Sequence, residues 1–263
     1  MPKSVLLPLL GILAFSPVLQ ADPLTQAQVT KIINDVRVVD PKSGNHPATI
    51  NERIHDDIGL RTGIKSRSEL LFQDNTLTRI GPETQFNFTP GTRDLTLKQG
   101  TILLQVPKGI GGAKIRTAAI TAALTGTTIM LKYAPGSQVK VLVLEGSLQL
   151  SLNRGGGNSV SVPAGQMVQM RPDAKRIPAP VTVDLRHVMQ TSSLVKMAKK
   201  GKADLPSSHL INKEISKQNK DRSQGQLVQS DFGVTDLNTV TDLQSLRKTA
   251  VEPEAPIGFS HHN

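Results

Sequence analysis

The chain of 263 residues contains no cysteine and no tryptophan, and its aromatic residues are six Phe and one Tyr. Without a thiol there is no disulfide framework, no zinc-thiolate site, no cysteine nucleophile and no lipid-modified cysteine. With so few aromatic rings, a core must be built mainly from Val, Ile, Leu and Ala. The length allows one medium domain or two small ones, so a substantial hydrophobic core is possible.

The first 21 residues have the pattern of an export signal. Lys3 supplies a positive start, and an apolar stretch from Val5 to Leu19 follows it. This stretch is shorter than the roughly 20 apolar residues of a spanning helix. A small residue, Ala21, comes soon after it, so we predict cleavage there and a periplasmic or secreted protein. Because Leu19 is larger than the residue usual at that place, an uncleaved membrane anchor is the alternative.

Between about residues 29 and 183, apolar residues recur at every second position, which places alternate side chains on one face of a strand. Ile102, Leu104 and Val106 are an example. Turn-forming residues recur about every eight to twelve positions. The pattern predicts an all-β domain over residues 22–190, either an antiparallel sandwich or a short β-solenoid.

The clearest local pattern runs from Val139 to Leu152. Valines alternate before the pair Glu145 and Gly146, and leucines alternate after it. A turn glycine between two alternating runs predicts a β-hairpin, with the two strands paired to each other.

The composition changes at about Asp184, and we expect residues 191–263 to form a basic polar tail. The tail has ten Lys or Arg, eight Asp or Glu and few large apolar side chains. It therefore buries too little surface to offset its ordering entropy, and we predict that it is largely disordered. Two short helices fit weak apolar stripes, one with Leu185, Val188, Val195 and Met197, and one capped by Ser208 with Leu210, Ile211 and Ile215.

No local pattern indicates catalysis, a metal or a cofactor. The glycine-rich loop from Pro107 to Lys114 resembles a phosphate-binding loop in composition, but Ile115 continues into a strand where such a loop needs a helix. We predict a connection between two strands instead. The histidines lack metal-ligand spacing, and no Gly-x-Ser-x-Gly elbow occurs. We expect no enzyme, although a carboxylate pair assembled from distant strands would leave no local trace.

Positive charge is concentrated in the predicted β domain, where residues 22–190 carry twenty Lys or Arg against thirteen Asp or Glu. Single-strand nucleic-acid binding relies on stacking aromatic rings, which are scarce, so nucleic acid is not an expected partner. An exported basic protein is expected to meet anionic envelope polymers or lipid head groups. The densest group of candidate polyanion contacts, which could also be a solvated linker, is Lys196, Lys199, Lys200 and Lys202.

Short motifs follow one another in a fixed order from Ile58 to Met170. They include Ile58-Gly59-Leu60-Arg61-Thr62-Gly63, Asp74-Asn75-Thr76-Leu77-Thr78-Arg79-Ile80-Gly81, Leu97-Lys98-Gln99-Gly100, Leu124-Thr125-Gly126-Thr127, Val143-Leu144-Glu145-Gly146 and Pro163-Ala164-Gly165-Gln166. In this order they resemble the FecR domain, a bacterial envelope module named after a regulator of iron uptake. The structural motif residues that the resemblance indicates are Gly59, Gly63, Gly81, Gly100, Gly126, Thr127, Glu145, Gly146, Gly165 and Gln166.

The resemblance implies a β scaffold without enzymatic activity. In the regulator branch of the family, the domain lies outside the cytoplasmic membrane and relays a signal from an outer-membrane transporter to a cytoplasmic sigma factor. That branch has a cytoplasmic segment before its spanning helix, whereas only Met1 to Lys3 precede the apolar stretch here. We therefore do not expect sigma-factor binding. Other FecR-domain proteins are stand-alone exported chains, which this sequence resembles more closely.

Two functional hypotheses follow. The first is a non-catalytic exported module that binds an envelope protein or polymer. The alternative is a membrane-tethered sensor or regulator in envelope signal transduction. Pairing of strand edges could also make the module dimerise, but the sequence does not show which edge is open.

Overall fold

A computed structural model describes residues 22–55, 58–154, 159–197 and 205–224 of the chain. The predicted export signal lies outside the described residues. The described part consists mostly of β-strands, which confirms the predicted all-β class. None of its helices is both long enough and apolar enough to cross a membrane.

The strands are β1 Gln26–Ile33, β2 Val36–Val39, β3 His46–Pro47, β4 Arg53–His55, β5 Gly59–Thr62, β6 Arg67–Phe72, β7 Leu77–Ile80, β8 Gln85–Thr89, β9 Asp94–Gln105, β10 Gly112–Arg116, β11 Ile120–Thr125, β12 Thr128–Ala134, β13 Gln138–Glu145, β14 Ser147–Leu152, β15 Ser159–Pro163, β16 Gln166–Met170 and β17 Val181–Thr182. The helices are α1 Leu185–Thr191 and α2 Ser208–Ser223. The glycine-rich loop after β9 leads to β10, so the predicted connection between two strands is confirmed.

The strands form two layers. Sheet I contains, in spatial order, β4, β1, β6, β7, the second half of β9, β12, β13, β16 and β17. Sheet II contains β3, β2, β5, β8, the first half of β9, β10, β11, β14 and β15. Neighbouring strands run antiparallel except β9 and β10, which are parallel. The layers face each other as a sandwich, the first of the two predicted architectures.

The main core fills the space between the sheets. Ile102 and Val141 of sheet I belong to the same buried cluster as Ile115 of sheet II. The ring of Phe72 meets the ring of Phe88 edge to face, with centroids 5.0 Å apart. Burial of one large apolar side chain contributes about 1.5–3 kcal/mol to stability. Most of these side chains in the main core are Val, Ile and Leu, because aromatic residues are scarce in the chain.

The predicted hairpin between β13 and β14 is wrong. β13 pairs with β12 and β16 in sheet I, whereas β14 pairs with β11 and β15 in sheet II. Gly146 lies between the two strands with φ of +81°, and this left-handed turn carries the chain from one sheet to the other. Val141 and Leu150 both face the main core in this arrangement. Two strands joined by a crossing between sheets therefore show the same alternation of residues as the two strands of a hairpin.

Strand β9 belongs to both sheets. Its first half pairs with β8 and its second half with β12. The strand changes sheet at Gly100, where φ is +99°. A Cβ atom at this position would overlap the Oγ1 and Cα atoms of Thr84, so only glycine fits the bend.

A C-terminal segment packs on the outer face of sheet I. We call this segment, residues 183–197 and 205–224, the strap. Leu185 of α1, Leu194 of the following connection and Ile211 of α2 are buried in a second core that includes Leu142 of sheet I. The structure therefore differs from the predicted disordered tail for residues 191–197 and 205–224. The outer face of sheet I is itself apolar in its middle, and it offers the few apolar side chains of the strap a surface to cover.

The two helices of the strap lie where the weak apolar stripes suggested. Asp184 caps α1, because its carboxylate accepts hydrogen bonds from the backbone N–H groups of Arg186 and His187. The second helix begins at Ser208, but its N-cap is Ser207 rather than the predicted Ser208. The Ser207 hydroxyl makes no capping bond and instead accepts a hydrogen bond from the Thr128 hydroxyl at 2.9 Å, which ties the helix start to sheet I.

Candidate functional site

Most of the predicted structural motif residues lie at the ends of strands or in turns. Gly126, Gly146 and Gly165 have positive φ, as does Gly100 inside β9. Gly59 begins β5 and Gln166 begins β16, whereas Gly63, Gly81 and Thr127 lie in connections. The remaining motif residue, Glu145, is buried and forms an ion pair with Lys108 Nζ at 2.9 Å. The hydrogen bond to Glu145 raises the pKa of Lys108. The motif therefore marks turns, connections and one ion pair of the scaffold.

Metal binding has no support in the described ranges. There, no three His, Asp or Glu side chains come close enough to hold an ion. One exposed pair, His46 and Glu52, is joined by a hydrogen bond of 2.7 Å. This hydrogen bond raises the pKa of His46, but a single pair on the surface lacks the further ligands that a metal requires.

The outer face of sheet II is open among the described residues, and its exposed side chains are polar. Alternation along β2, β5 and β10 turns four cations outward. We call the surface formed by Arg37, Arg61, Lys114 and Arg116 the basic face. Arg116 forms an ion pair of 3.2 Å with Asp94, which leaves the face with an excess of positive charge.

Two arginines of the basic face lie directly opposite each other. Arg37 of β2 is the register partner of Arg61 of β5, and both side chains are exposed. Like charges in such a cross-strand pair destabilise a sheet. Asp35 offsets part of this repulsion through an ion pair with Arg37 at 3.4 Å, but both partners are more than half exposed, so the pair is weak. A sequence that departs from what stability favours is typical of a functional surface.

A groove runs beside the arginine pair, with a volume of about 450 Å³. Its walls come from β2, β5 and the connections that follow β5 and β7. The lining residues include Asp35, Arg37, Arg61, Ile64, Glu83 and Gln99. Ile64 is 73% exposed at this groove, which makes it the most exposed large apolar side chain in the described residues. The groove offers guanidinium groups that can hold an oxyanion through paired hydrogen bonds.

A buried arginine joins sheet I to the strap. Arg79 of β7 is only 1% exposed. Its Nη1 donates hydrogen bonds to the carbonyl oxygens of Leu194 and Val195 at 2.8 and 2.9 Å. Its Nε donates to Glu69 Oε2 at 2.7 Å. The carboxylate of Glu69 therefore compensates the charge of the buried arginine. The same carboxylate also accepts hydrogen bonds from Thr30 and Lys31.

Arg79 was not predicted from the sequence to have a role of its own. It lies inside one of the FecR-like motifs, and alternation with Leu77 places the two residues on one face of a strand. The available signal was a charged residue at a position where this alternation predicts an apolar one. Only the structure shows that this face is covered by residues more than a hundred positions later in the chain.

A second like-charged pair lies on the outer face of sheet I. Lys132 of β12 and Lys140 of β13 are register partners, with 9% and 7% of their surfaces exposed. Burial, and then repulsion by Lys132, lowers the pKa of Lys140. These lysines border the apolar part of the face that the strap covers, so positive charge is present on the outer surfaces of both sheets.

The predicted polyanion cluster is only partly within the described residues. Lys196 lies in the strap and is partly exposed, whereas Lys199, Lys200 and Lys202 fall outside the described ranges. The basic face of sheet II was not predicted as a unit, because it requires the pairing of β2 with β5.

Comparison with known proteins identifies similarity to one family and to solved structures. Residues 59–149 match the family described as FecR protein. Two crystal structures of a candidate anti-sigma factor from Parabacteroides distasonis are similar, with TM-scores of 0.44 and 0.43 and sequence identities of 12% and 11%. The similarity covers 49% and 50% of this chain but 62% and 64% of theirs, less than two thirds of their length. A search of curated proteins found no match.

Proposed function

We propose that the chain is a non-catalytic, exported module of the bacterial envelope that binds an anionic polymer, a role supported by the match of residues 59–149 to the FecR protein family. The basic face of sheet II is the surface we assign to this binding. The observation that carries the proposal is the arginine pair, in which Arg37 and Arg61 face each other on an open sheet although their repulsion costs stability. A bound row of negative groups would remove that repulsion.

A polymer fits this face better than a folded protein does. Stable protein interfaces have a central anchor of large aromatic or apolar side chains. The outward positions of sheet II instead carry short polar side chains, among them Thr96, Thr121 and Ser159, between the cations. Spaced positive charges on a flat polar surface attract a repeating anion without requiring a pocket for each unit.

We expect the charge reversals Arg61→Glu and Lys114→Glu, combined in one variant, to weaken binding at least tenfold. Each cation near an anionic surface contributes on the order of 1 kcal/mol, and about 1.4 kcal/mol corresponds to a tenfold change in affinity. The measurement is binding of the purified protein to immobilised polygalacturonate and, separately, polyphosphate. Comparison of the two distinguishes carboxylate from phosphate recognition.

The matched control is Lys213→Glu with Lys217→Glu on α2, because both lysines are exposed and the net charge changes equally. This variant should retain its affinity for both polymers. Equal weakening of both double variants would show that net charge alone is responsible, and that outcome would contradict a site on sheet II. Affinity should also fall as salt is added, because the contacts are exposed ion pairs.

A membrane-tethered regulator is the second candidate, and the FecR domain itself favours it. The two candidates differ at the amino end. A soluble envelope protein should begin at Asp22, whereas a tethered one should retain residues 1–21. Mass spectrometry of the native protein after separation of soluble and membrane fractions measures this difference. A soluble species that begins at Asp22 would remove the tethered candidate, and an intact membrane species would remove the freely diffusing one.

A further inference from the structure

The edge strands of the two sheets differ in length among the described residues. β3 and β17 are two residues long, and β4 is three residues long. The chain also places Pro178 and Pro180 immediately before β17. Short length and proline both discourage pairing with another strand. The remaining edge strand, β15, is five residues long, carries no charge, has a proline only at its last position and pairs with β14 alone among the described residues.

The hydrogen-bond pattern shows which backbone groups of β15 face outward. Ala164 N–H donates to the carbonyl oxygen of Gly146 at 2.9 Å. In an antiparallel pair the bonded positions alternate, so Val160 and Val162 exchange bonds with β14. The backbone groups of Ser159 and Ser161 therefore point away from β14. Pro163 presents only a carbonyl there, because proline has no N–H group.

We propose that β15 is the contact through which two copies of this chain form a dimer. In the dimer, β15 of each copy runs antiparallel to the other across a two-fold axis at Ser161. The two Ser161 residues exchange a pair of backbone hydrogen bonds, and each Ser159 N–H donates to the opposite Pro163 carbonyl. Every outward N–H group of the strand is then satisfied, and the proline falls where no donor is needed.

The side chains of β15 are self-complementary in this register. Val160 lies opposite Val162 of the second copy, on the face that points into the core. Val162 is fully buried in the single chain, but Val160 is only partly buried against the main core. Pairing would cover Val160 with a second valine. The serines meet on the other face, where both Ser159 and Ser161 are exposed. An unrelated partner strand would have no reason to match this symmetric pattern.

The lack of cysteine in the chain gives a direct test of the axis. In the Ser161→Cys variant the two substituted residues would face each other with Cα atoms about 5.5 Å apart, within the range of a disulfide. We expect mild oxidation of the purified protein to convert most of this variant into a covalent dimer. The control is Ser147→Cys, which is equally exposed on β14 but distant from the axis, and it should remain monomeric on a denaturing gel.

The second measurement is mass in solution by light scattering. The unmodified protein should have the mass of two chains, and Ser161→Ala should too, because it retains the backbone N–H. Ser161→Pro should have the mass of one chain with an unchanged thermal midpoint, because the lost N–H does not bond within the chain. An unmodified protein that stays monomeric while the Ser161→Cys variant fails to crosslink would overturn the proposal. A dimer that persists in Ser161→Pro, with no crosslink in Ser161→Cys, would overturn this interface.

Discussion

Replacement of Gly100 by alanine is expected to destabilise the protein by about 2–4 kcal/mol. A left-handed backbone costs a non-glycine residue about 1 kcal/mol, and a methyl group forced into a packed site adds about 1–3 kcal/mol. The close neighbour is the Cα of Thr84, which is backbone and cannot rotate away. The free energy of unfolding by urea, compared with that of the unmodified protein, measures the effect.

Gly136→Ala separates the two contributions. Gly136 has φ of +74°, but a Cβ atom there would meet nothing within 4 Å. This variant should therefore lose only the conformational part, about 1 kcal/mol. Equal losses of stability in both variants would show that a methyl group at position 100 does not collide with Thr84. That result would contradict the close approach of β9 to Thr84.

Arg79→Met is expected to cost about 2–3 kcal/mol of stability, because two buried carbonyl groups lose their donor and Glu69 keeps only Lys31 as a cationic partner. The carboxylate of Glu69 stays buried, and the carbonyl groups of Leu194 and Val195 lose a charged donor. The loss should be uneven across the molecule. Hydrogen exchange should accelerate first in the strap, because its anchor is gone, and later in the main core.

Two further variants make this expectation sharper. Arg171→Met removes an arginine from an exposed ion pair with Asp173, and it should leave the unfolding free energy unchanged within error. Glu69→Leu combined with Arg79→Met should recover part of the lost stability, because the buried carboxylate is then removed and its other partner, Lys31, is partly exposed to water. Uniform acceleration of exchange in Arg79→Met would contradict a specific role in holding the strap.

The core and the turns could be predicted from the sequence, whereas the pairing of distant strands could not. Alternation identified Ile102 and Leu104 as buried, since the period of a strand decides which face a side chain takes. The same alternation failed for β13 and β14, because it reports a face and not a neighbour. The choice between a hairpin and a crossing is made by the whole sandwich and by the turn at Gly146.

The two helices of the strap were predicted, but their packing on sheet I and the basic face were not, for a related reason. The apolar residues of the strap looked too few to fold, because the surface they cover is supplied by sheet I. Arg37 and Arg61 are 24 positions apart in the chain, and only the register of β2 with β5 brings them together. The candidate site therefore depends on long-range pairing, whereas the family resemblance depended on different local motifs that follow one another in a fixed order along the chain.

The anchoring of Arg79 has a consequence for how the protein is made. Its acceptor on Leu194 lies 115 residues later in the chain. Ribosomes add about 5–20 residues per second, so the arginine emerges roughly 6–23 s before its acceptor does. During that interval the apolar outer face of sheet I has no cover, so this half of the second core is open to contact with other apolar surfaces until the strap is made.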